Sequence, residues 1–469
     1  MPISEPEARL LVEKMSQELR ARQPNISRWN DYYDGVQQLV FASDAWKSAH
    51  GSRYGDFADN WCGVVADSPA ERLVVSGIVL PEEQAPDAAL WRTWQQNEGD
   101  AESSAGFVDM NVSGRVFVLV WGDPVEVTWE SPEEVIVAYE PGSHRKRTAA
   151  LKVWREDDHV EHATLYLPDE VWKFRRATSN TRLEVIGEGA LQWRPRELPE
   201  EPNPQPNPMG VVPIVELQNR PRLGGTVRSE VAGVAAMQDA INLLWAYLFT
   251  TADFASFPQR VVLGQDAPKV PILDDKGQVV GEREVPLEKF SSDRVVWLTG
   301  KQTKVDQWDA ADLKQFTDII EVQVGHVAAQ TRTPPHYLAT NKGLSNLSGD
   351  ALVAAETGLV KKVEEQQLFT GPRIREVNRL ICLAEGDTSK AAQVSAGSVT
   401  WKDAASRSDQ QMADKIIKMR QAGFPFRWIL EEARISPTDV ERIMSMRRDE
   451  LEEAARADVA AIMGGEPGL

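Results

Sequence analysis

Two long apolar-periodic segments, with residues 259–308 between them, constrain this chain more than anything else in it. The first runs from Arg228 to Ala255 and carries Val234, Met237, Ile241, Leu244, Trp245 and Leu248 at spacings of one, three and four. That spacing lays a continuous apolar stripe along a helix, which at ~1.5 Å per residue spans ~40 Å. The second runs from about Ala311 to Arg332, with Leu313, Phe316, Ile320, Val324 and Val327 on one side. Thr333-Pro334-Pro335 stops it, because proline disfavours helix at the residue before it. The intervening residues read as strands, with QRVVLG and SDRVVWL as extended runs and Asp274-Asp275-Lys276-Gly277 as a turn. A polar loop, Thr340 to Gly349, follows the second helix. Periodicity alone leaves two readings open: ordinary core helices, or a hairpin of helices built to repeat around an axis.

The rest of the chain alternates helix and strand. Leu10, Leu11, Met15 and Leu19 make Glu5 to Gln23 a helix that Pro24 should end. Residues 59–77 read as a helix running into a strand with Gly77 at the turn. Trp91 to Met110 is helical, Gly114 breaks it, and Arg115 to Trp121 (RVFVLVW) is an apolar strand. From Val125 to Trp193 short β-branched and aromatic runs predict a sheet. Residues 196–208, rich in proline and acid, read as a linker or exposed loop. A third long helix is expected over 350–384, bent near Gly371-Pro372, then a short strand near Val394 to Trp401. Helices over 407–422, 424–434 and 436–461 end the chain, Ser436-Pro437-Thr438-Asp439 giving a good amino-terminal signal. The whole is an α+β, mostly helical, multidomain chain, as 469 residues exceed what one core usually serves.

Charge narrows the function. With 52 basic and 71 acidic residues the formal charge is −19, so the chain repels nucleic acid on average. An ordinary DNA-binding protein, which gains affinity from Lys and Arg on phosphates, is excluded; a surface along which DNA slides without sticking is not. The 15 Trp are expected to be core or interface anchors. Cys62 and Cys382 do not make a disulfide framework, which suits a reducing compartment. No secretory signal is visible, and the longest apolar run, Leu243 to Phe249, falls far short of a membrane span. A soluble, cytosolic protein with no membrane partner is the expectation.

Catalytic constellations are absent from the pattern. There is no phosphate loop, nucleophile elbow, HExxH or CxxC. The one local cluster, Asp157-Asp158-His159-Val160-Glu161-His162, has metal-binding residue types, but its alternation fits an exposed hairpin better. No catalytic residue, cofactor or metal is therefore expected; a metal-dependent enzyme using this cluster is the weakest alternative.

Several runs, in order, carry a resemblance. They are Asn60-Trp61, Glu71-Arg72-Leu73, Gly77, Gly114-Arg115, Val120-Trp121, Val212-Pro213-Ile214-Val215 and Asn219-Arg220-Pro221. Arg228-Ser229-Glu230, Gln238-Asp239-Ala240-Ile241-Asn242, Pro258-Gln259-Arg260, Thr333-Pro334-Pro335 and Ser348-Gly349-Asp350-Ala351-Leu352 continue the set. Together they resemble the portal proteins of long-tailed bacteriophages, the group described as Gp6-like.

That resemblance implies a portal fold assembling as a dodecameric ring at one capsid vertex, with double-stranded DNA in transit. Its domains are expected as wing (1–227), stem helix (228–256), clip (257–309), second stem helix (310–332), tunnel-loop region (333–350), long helix and wing return (351–405) and crown (406–469). Implied partners are further copies of the chain, the terminase large subunit, a head–tail adaptor and the major capsid or scaffolding protein. The implied location is the virion, with host cytoplasm during assembly. Asn341, Lys342, Ser345 and Asn346 would face DNA on the tunnel loop; Gln238, Asp239, Asn242 and Lys314 would face the stem channel. Another head–tail ring component of a phage particle is the alternative.

Overall fold

The structure is a computed structural model. It describes the chain apart from residues 1, 37–38, 40, 45, 49–56, 84, 158–159, 179–191, 198–200, 226, 257–259, 264–268, 285–303, 308–311, 339–348, 406–408, 434, 436 and 464–469. Helix and sheet are mixed, with helix predominating. The chain divides into two compact units, a larger one (1–37, 60–238, 325–469) and a smaller one (38–59, 239–324).

In the larger unit, helix α1 (Glu5–Asp34) starts with Ser4 and Glu7 capping each other's backbone. It does not end at Pro24, as expected, but runs through it to Gly35, which adopts a left-handed conformation at φ 77°. Tertiary contacts outweigh the lost helical hydrogen bond. Gln23 and Asn30 both donate to Glu133, Tyr33 donates to Asp67, and Ile26 and Tyr32 are buried. Ala8, Val12, Met15 and Leu19 point α1 at a six-stranded antiparallel sheet. That sheet runs β4 (Val135–Tyr139), β5 (Arg147–Asp157), β6 (Val160–Tyr166), β7 (Glu170–Ala177), β8 (Arg194–Pro195), with β9 (Gln205–Pro206) also on β7. Both its faces are covered. Ala163 and Leu165 pack under α1, while Tyr166 and Val171 pack against Phe117 and Ile214. The acidic, proline-rich segment is thus partly structural: Asn203 and Asn207 tie it to Lys173, Leu167 and Val211.

Helices α2 (Trp61–Ala70), α3 (Ala88–Gln96) and α4 (Gly99–Ser113) lie in the same unit with strands β1 (Val75–Val79), β2 (Arg115–Trp121), β3 (Glu126–Glu130) and β10 (Ile214–Gln218). The helix expected over Trp91–Met110 is two helices, broken at Asn97-Glu98, where Glu98 has φ 51°. Gly77 lies within β1 rather than at a turn. The longest described helix, α8 (Gly349–Ala384), continues through Pro372. Its Leu359, Val363, Ile374, Val377, Leu380 and Ile381 join Phe107, Val118 and Leu217 in the main core. After α9 (Thr388–Ala396), β15 (Ser398–Trp401) pairs with β1, closing the far ends of the chain together. Helices α10 (Asp409–Gln421), α11 (Phe426–Glu432) and α12 (Pro437–Met463) follow.

The smaller unit contains most of α5 (Ala235–Ser256) and the first part of α6 (Lys314–Thr331). The first helix thus starts later than Arg228; residues 230–234 form turns. Along α5, Trp245 donates to Asp59, and Trp245, Phe249 and Phe57 interleave their rings. Leu39, Ala42 and Trp46 cover Ala246. Among the described residues the two long helices do not form an extended contact with each other. Between them lie β11 (Arg260–Leu263) with β14 (Lys304–Gln307), and β12 (Lys269–Leu273) with β13 (Val279–Glu284), the latter joined by the expected turn at Asp274–Gly277. SDRVVWL lies outside the described residues. Among the described residues no helix is long and apolar enough to cross a membrane.

Candidate functional site

Two of the runs that carried the resemblance, Asn219-Arg220-Pro221 and Arg228-Ser229-Glu230, meet at a buried polar joint in the larger unit. On α8, Leu359, Lys362, Val363, Gln366 and Thr370 recur at helical spacing on the core-facing side, and Lys362, Gln366 and Thr370 are 1%, 0% and 0% exposed. Polar groups there need partners, since an unsatisfied buried donor costs about 1–3 kcal/mol. Lys362 Nζ finds Glu230 Oε2 at 2.7 Å and the Thr331 carbonyl oxygen at 3.0 Å. Glu230 also accepts from Asn219 Nδ2 at 2.8 Å and from Arg220. Gln366 Nε2 donates to Asn111 at 2.7 Å and to Asn219 at 2.9 Å. Asn219 Nδ2 additionally donates to the Arg228 carbonyl, and Glu230 N–H to the Asn111 carbonyl.

Burial alone would raise the Glu230 carboxyl, but Lys362, Arg220 and the hydrogen bonds outweigh it and hold it below the usual glutamate range. Burial pulls the Lys362 ammonium down, helped by Arg220 and Arg332 and opposed by Glu230. One buried carboxylate thus serves the buried Lys362 and the half-buried Arg220, which also reaches the exposed Glu365 at 3.6 Å.

The joint fixes the ends of both long helices. Glu230 lies just before α5. At the other helix, Arg332 at φ 59° ends α6, and the Thr333 N–H returns to the Ala328 carbonyl, a helix-stop geometry with a 6→1 bond. Lys362 then caps the free Thr331 carbonyl. The Thr333-Pro334-Pro335 run leads into α7 (Pro335–Leu338), pinned where Tyr337 accepts from Arg72 at 2.6 Å and where His336 meets Glu356 of α8 at 3.6 Å. Arg72 also binds the Ala404 carbonyl.

Of the residues expected to face the stem channel, three are turned inward. Gln238, Asp239 and Asn242 are 1%, 5% and 2% exposed. Gln238 accepts from the Trp61 N–H at 2.8 Å, and Asn242 from the Asp59 N–H at 3.0 Å. Gln238 and Asn242 thus hold residues 59–62, and the burial of all three side chains within the chain runs against a channel-facing position. Lys314 is exposed at the first turn of α6. Asn341, Lys342, Ser345 and Asn346 lie outside the described residues. The joint itself was missed, although polar residues on the apolar stripe of α8 signalled it.

At the 157–162 cluster β5 and β6 pair as a hairpin, and its described Glu161 and His162 are buried. Glu161 is buried among Arg20 at 2.8 Å and Arg176 at 2.7 Å, while His162 is buried and stacked on Trp154. Neighbours on a strand point to opposite faces, so Glu161 and His162 do not converge. Asp158 and His159 lie outside the described residues. Among the described residues no group of three or more His, Cys, Asp or Glu is placed to hold a metal ion. Burial pushes the Cys382 thiol up to about 11, which leaves it unreactive at neutral pH.

The joint clamps helix ends with charges spent largely on one another, so its part in this fold is structural. The family described as "Phage portal protein, SPP1 Gp6-like" matches residues 13–450, and the chain belongs to it. It is similar to the portal protein of Mycobacterium phage L5, 29% identical over 408 residues, covering 83% of this chain and 78% of that one. The portal protein of Mycobacterium phage D29 is 28% identical over 331 residues, covering 67% of this chain and 62% of its own length. Among solved structures, a chain from the neck of an empty GTA particle computed with C6 symmetry aligns over 77% of this chain and 85% of its own. It has 12% identity and a TM-score of 0.43. Portal proteins are structural components of the phage particle, and the chain is not an enzyme.

Proposed function

We propose that this portal protein works as a ring of about twelve copies at one capsid vertex, through which double-stranded DNA enters and leaves. The observation that carries the ring is apolar surface that a single chain leaves open. Ile319 and Val322 on α6 are 48% and 56% exposed, and Val270, Ile272, Leu273, Val279 and Val280 on the β12–β13 ribbon are 48–66% exposed. A two-stranded ribbon is at best marginally stable alone, and exposed apolar patches of this kind mark interaction surfaces. Neighbouring copies around a closed ring cover them with a head-to-tail contact repeated at every subunit.

In this reading residues 1–227 form the wing, 228–256 and 310–332 the stem, and 257–309 the clip. The tunnel-loop region is 333–350, the long helix and wing return 351–405, and the crown 406–469. The clip docks the terminase large subunit during packaging and the head–tail adaptor afterwards, and the ring contacts capsid or scaffolding protein. Assembly takes place in the host cytoplasm. Asn341, Lys342, Ser345 and Asn346 are the proposed DNA-facing loop residues and Lys314 the remaining stem candidate. A chain of charge −19 suits a lumen that must not grip a polymer with one charge per ~1.7 Å. Deleting 341–346 should leave rings intact by electron microscopy and reduce DNA packaging; unchanged packaging would remove the loop from the DNA path.

A further inference from the structure

In this acidic chain, five arginines gather at one place in the larger unit. Tyr139 of β4 lies directly across the ladder from Arg147 of β5. Its hydroxyl donates to Glu216 at 2.9 Å, and Arg115 binds the same carboxylate at 2.8 Å. Arg147 pairs with Glu376 of α8 at 2.6 Å, and Arg379 shares that carboxylate at 2.8 Å. Arg373 lies one turn earlier on α8, within electrostatic reach of Tyr139. Arg22 of α1 faces Arg115, Glu216 and Tyr139, with Glu18 a turn before it. Five guanidinium groups therefore meet three carboxylates, Glu18, Glu216 and Glu376, leaving two positive charges in excess.

The excess is unspent. Arg115, Arg147 and Arg379 have carboxylate partners, but Arg22 and Arg373 make no ion pair or hydrogen bond among the described residues. The Nε of Arg147, on a side chain only 8% exposed, also lacks a partner. Burial and repulsion from Arg115 lower the Arg22 guanidinium, marking a cation held where it is poorly compensated. Both free arginines are half-buried rather than sealed, so a ligand reaches them.

We propose that Arg22 and Arg373, backed by Arg147, form a receptor for a carboxylate side chain presented by an adjacent copy of this chain. Guanidinium forks match carboxylate geometry in bidentate fashion. The cluster is recessed, which favours a side chain that reaches in over the phosphates of a rigid duplex. Subunits carrying −19 each repel one another, so a ring needs local sites of opposite sign to orient its neighbours. In a head-to-tail ring every copy supplies both the receptor and the acid. The inference rests on the ring reading above.

The test compares full-length wild type with R22E/R373E, using light scattering at a series of protein and salt concentrations. The double variant should need roughly tenfold more protein to assemble at low salt, with an unchanged monomer far-ultraviolet spectrum and melting temperature. In R22K/R373K, carbodiimide should link position 22 or 373 to a carboxylate of another subunit, read by peptide mass spectrometry. Wild type that never assembles overturns the ring reading itself. Wild-type and R22E/R373E rings that form alike, with links only to Glu18 or Glu216 of the same chain, overturn the receptor. Unchanged assembly with loss of binding to a short duplex DNA or to inorganic phosphate would also overturn it, assigning the arginines to phosphate.

Discussion

Replacing Glu230 by Gln tests the buried joint at its centre. The substitution keeps the size of the side chain and removes one charge. Lys362, 1% exposed, then remains with no buried carboxylate beside it, while Arg220, 12% exposed, keeps only the exposed Glu365 at 3.6 Å. Removing one partner of a buried pair costs about 3–5 kcal/mol because the other charge stays desolvated. For a unit of this size that lowers the melting temperature by roughly 5–10 °C. E230Q/K362M removes the orphaned ammonium as well and should recover about half of the loss, a coupling that a double-mutant cycle measures. pH gives an independent reading. The folded carboxyl lies below the usual range, so its stabilisation is full above the unfolded value of about 4.3 and fades as pH falls through the lower folded value. Wild type should therefore lose part of its advantage over E230Q as pH drops below about 4. Calorimetry from neutral to acid pH reads both effects. An E230Q melting temperature within a degree or two of wild type, with no recovery in the double variant, would refute the reasoning.

Other expectations follow the packing. A Cβ added at Gly106 would sit 2.0 Å from the Trp129 ring, so Gly106→Ala should destabilise by about 1–3 kcal/mol, measured by urea denaturation. Phe107 is fully buried in the main core beside Trp129 and Trp401; Phe107→Ala should cost about 3–5 kcal/mol in the same assay. Burial and the bond to Asp67 push the Tyr33 hydroxyl up to about 12. The folded state thus holds that proton to higher pH than an unfolded tyrosine at about 10, and stability should fall as pH rises above that ordinary value. An ultraviolet titration should lose a step near 12 in Tyr33→Phe.

What could be read in advance was local pattern. The strand Arg115–Trp121, the sheet after Val125, the turn at Asp274–Gly277 and the order of the long helices all come from period and turn chemistry, which act within a few residues. What local pattern does not carry depends on distant partners. Pro24 reads as a helix end because its backbone cost is local, whereas Glu133, 110 residues from Gln23, supplies the compensation. Gln238 and Asn242 read as part of a polar face, since polarity does not distinguish solvent from a buried backbone N–H waiting at Asp59 or Trp61. The joint was partly visible in Lys362 and Gln366 on an apolar stripe, but its partners Glu230 and Asn111 lie 132 and 255 residues away. Residues 219–230 and 331–333 hold two helix ends on a third helix, which sequence pattern alone does not reveal.

Negative-stain electron microscopy of the purified full-length chain tests the central claim most directly. The account predicts closed rings with a central channel and about twelve subunits, covering the apolar faces of α6 and the β12–β13 ribbon. Protein that stays monomeric at high concentration, with no rings in any field, would contradict it.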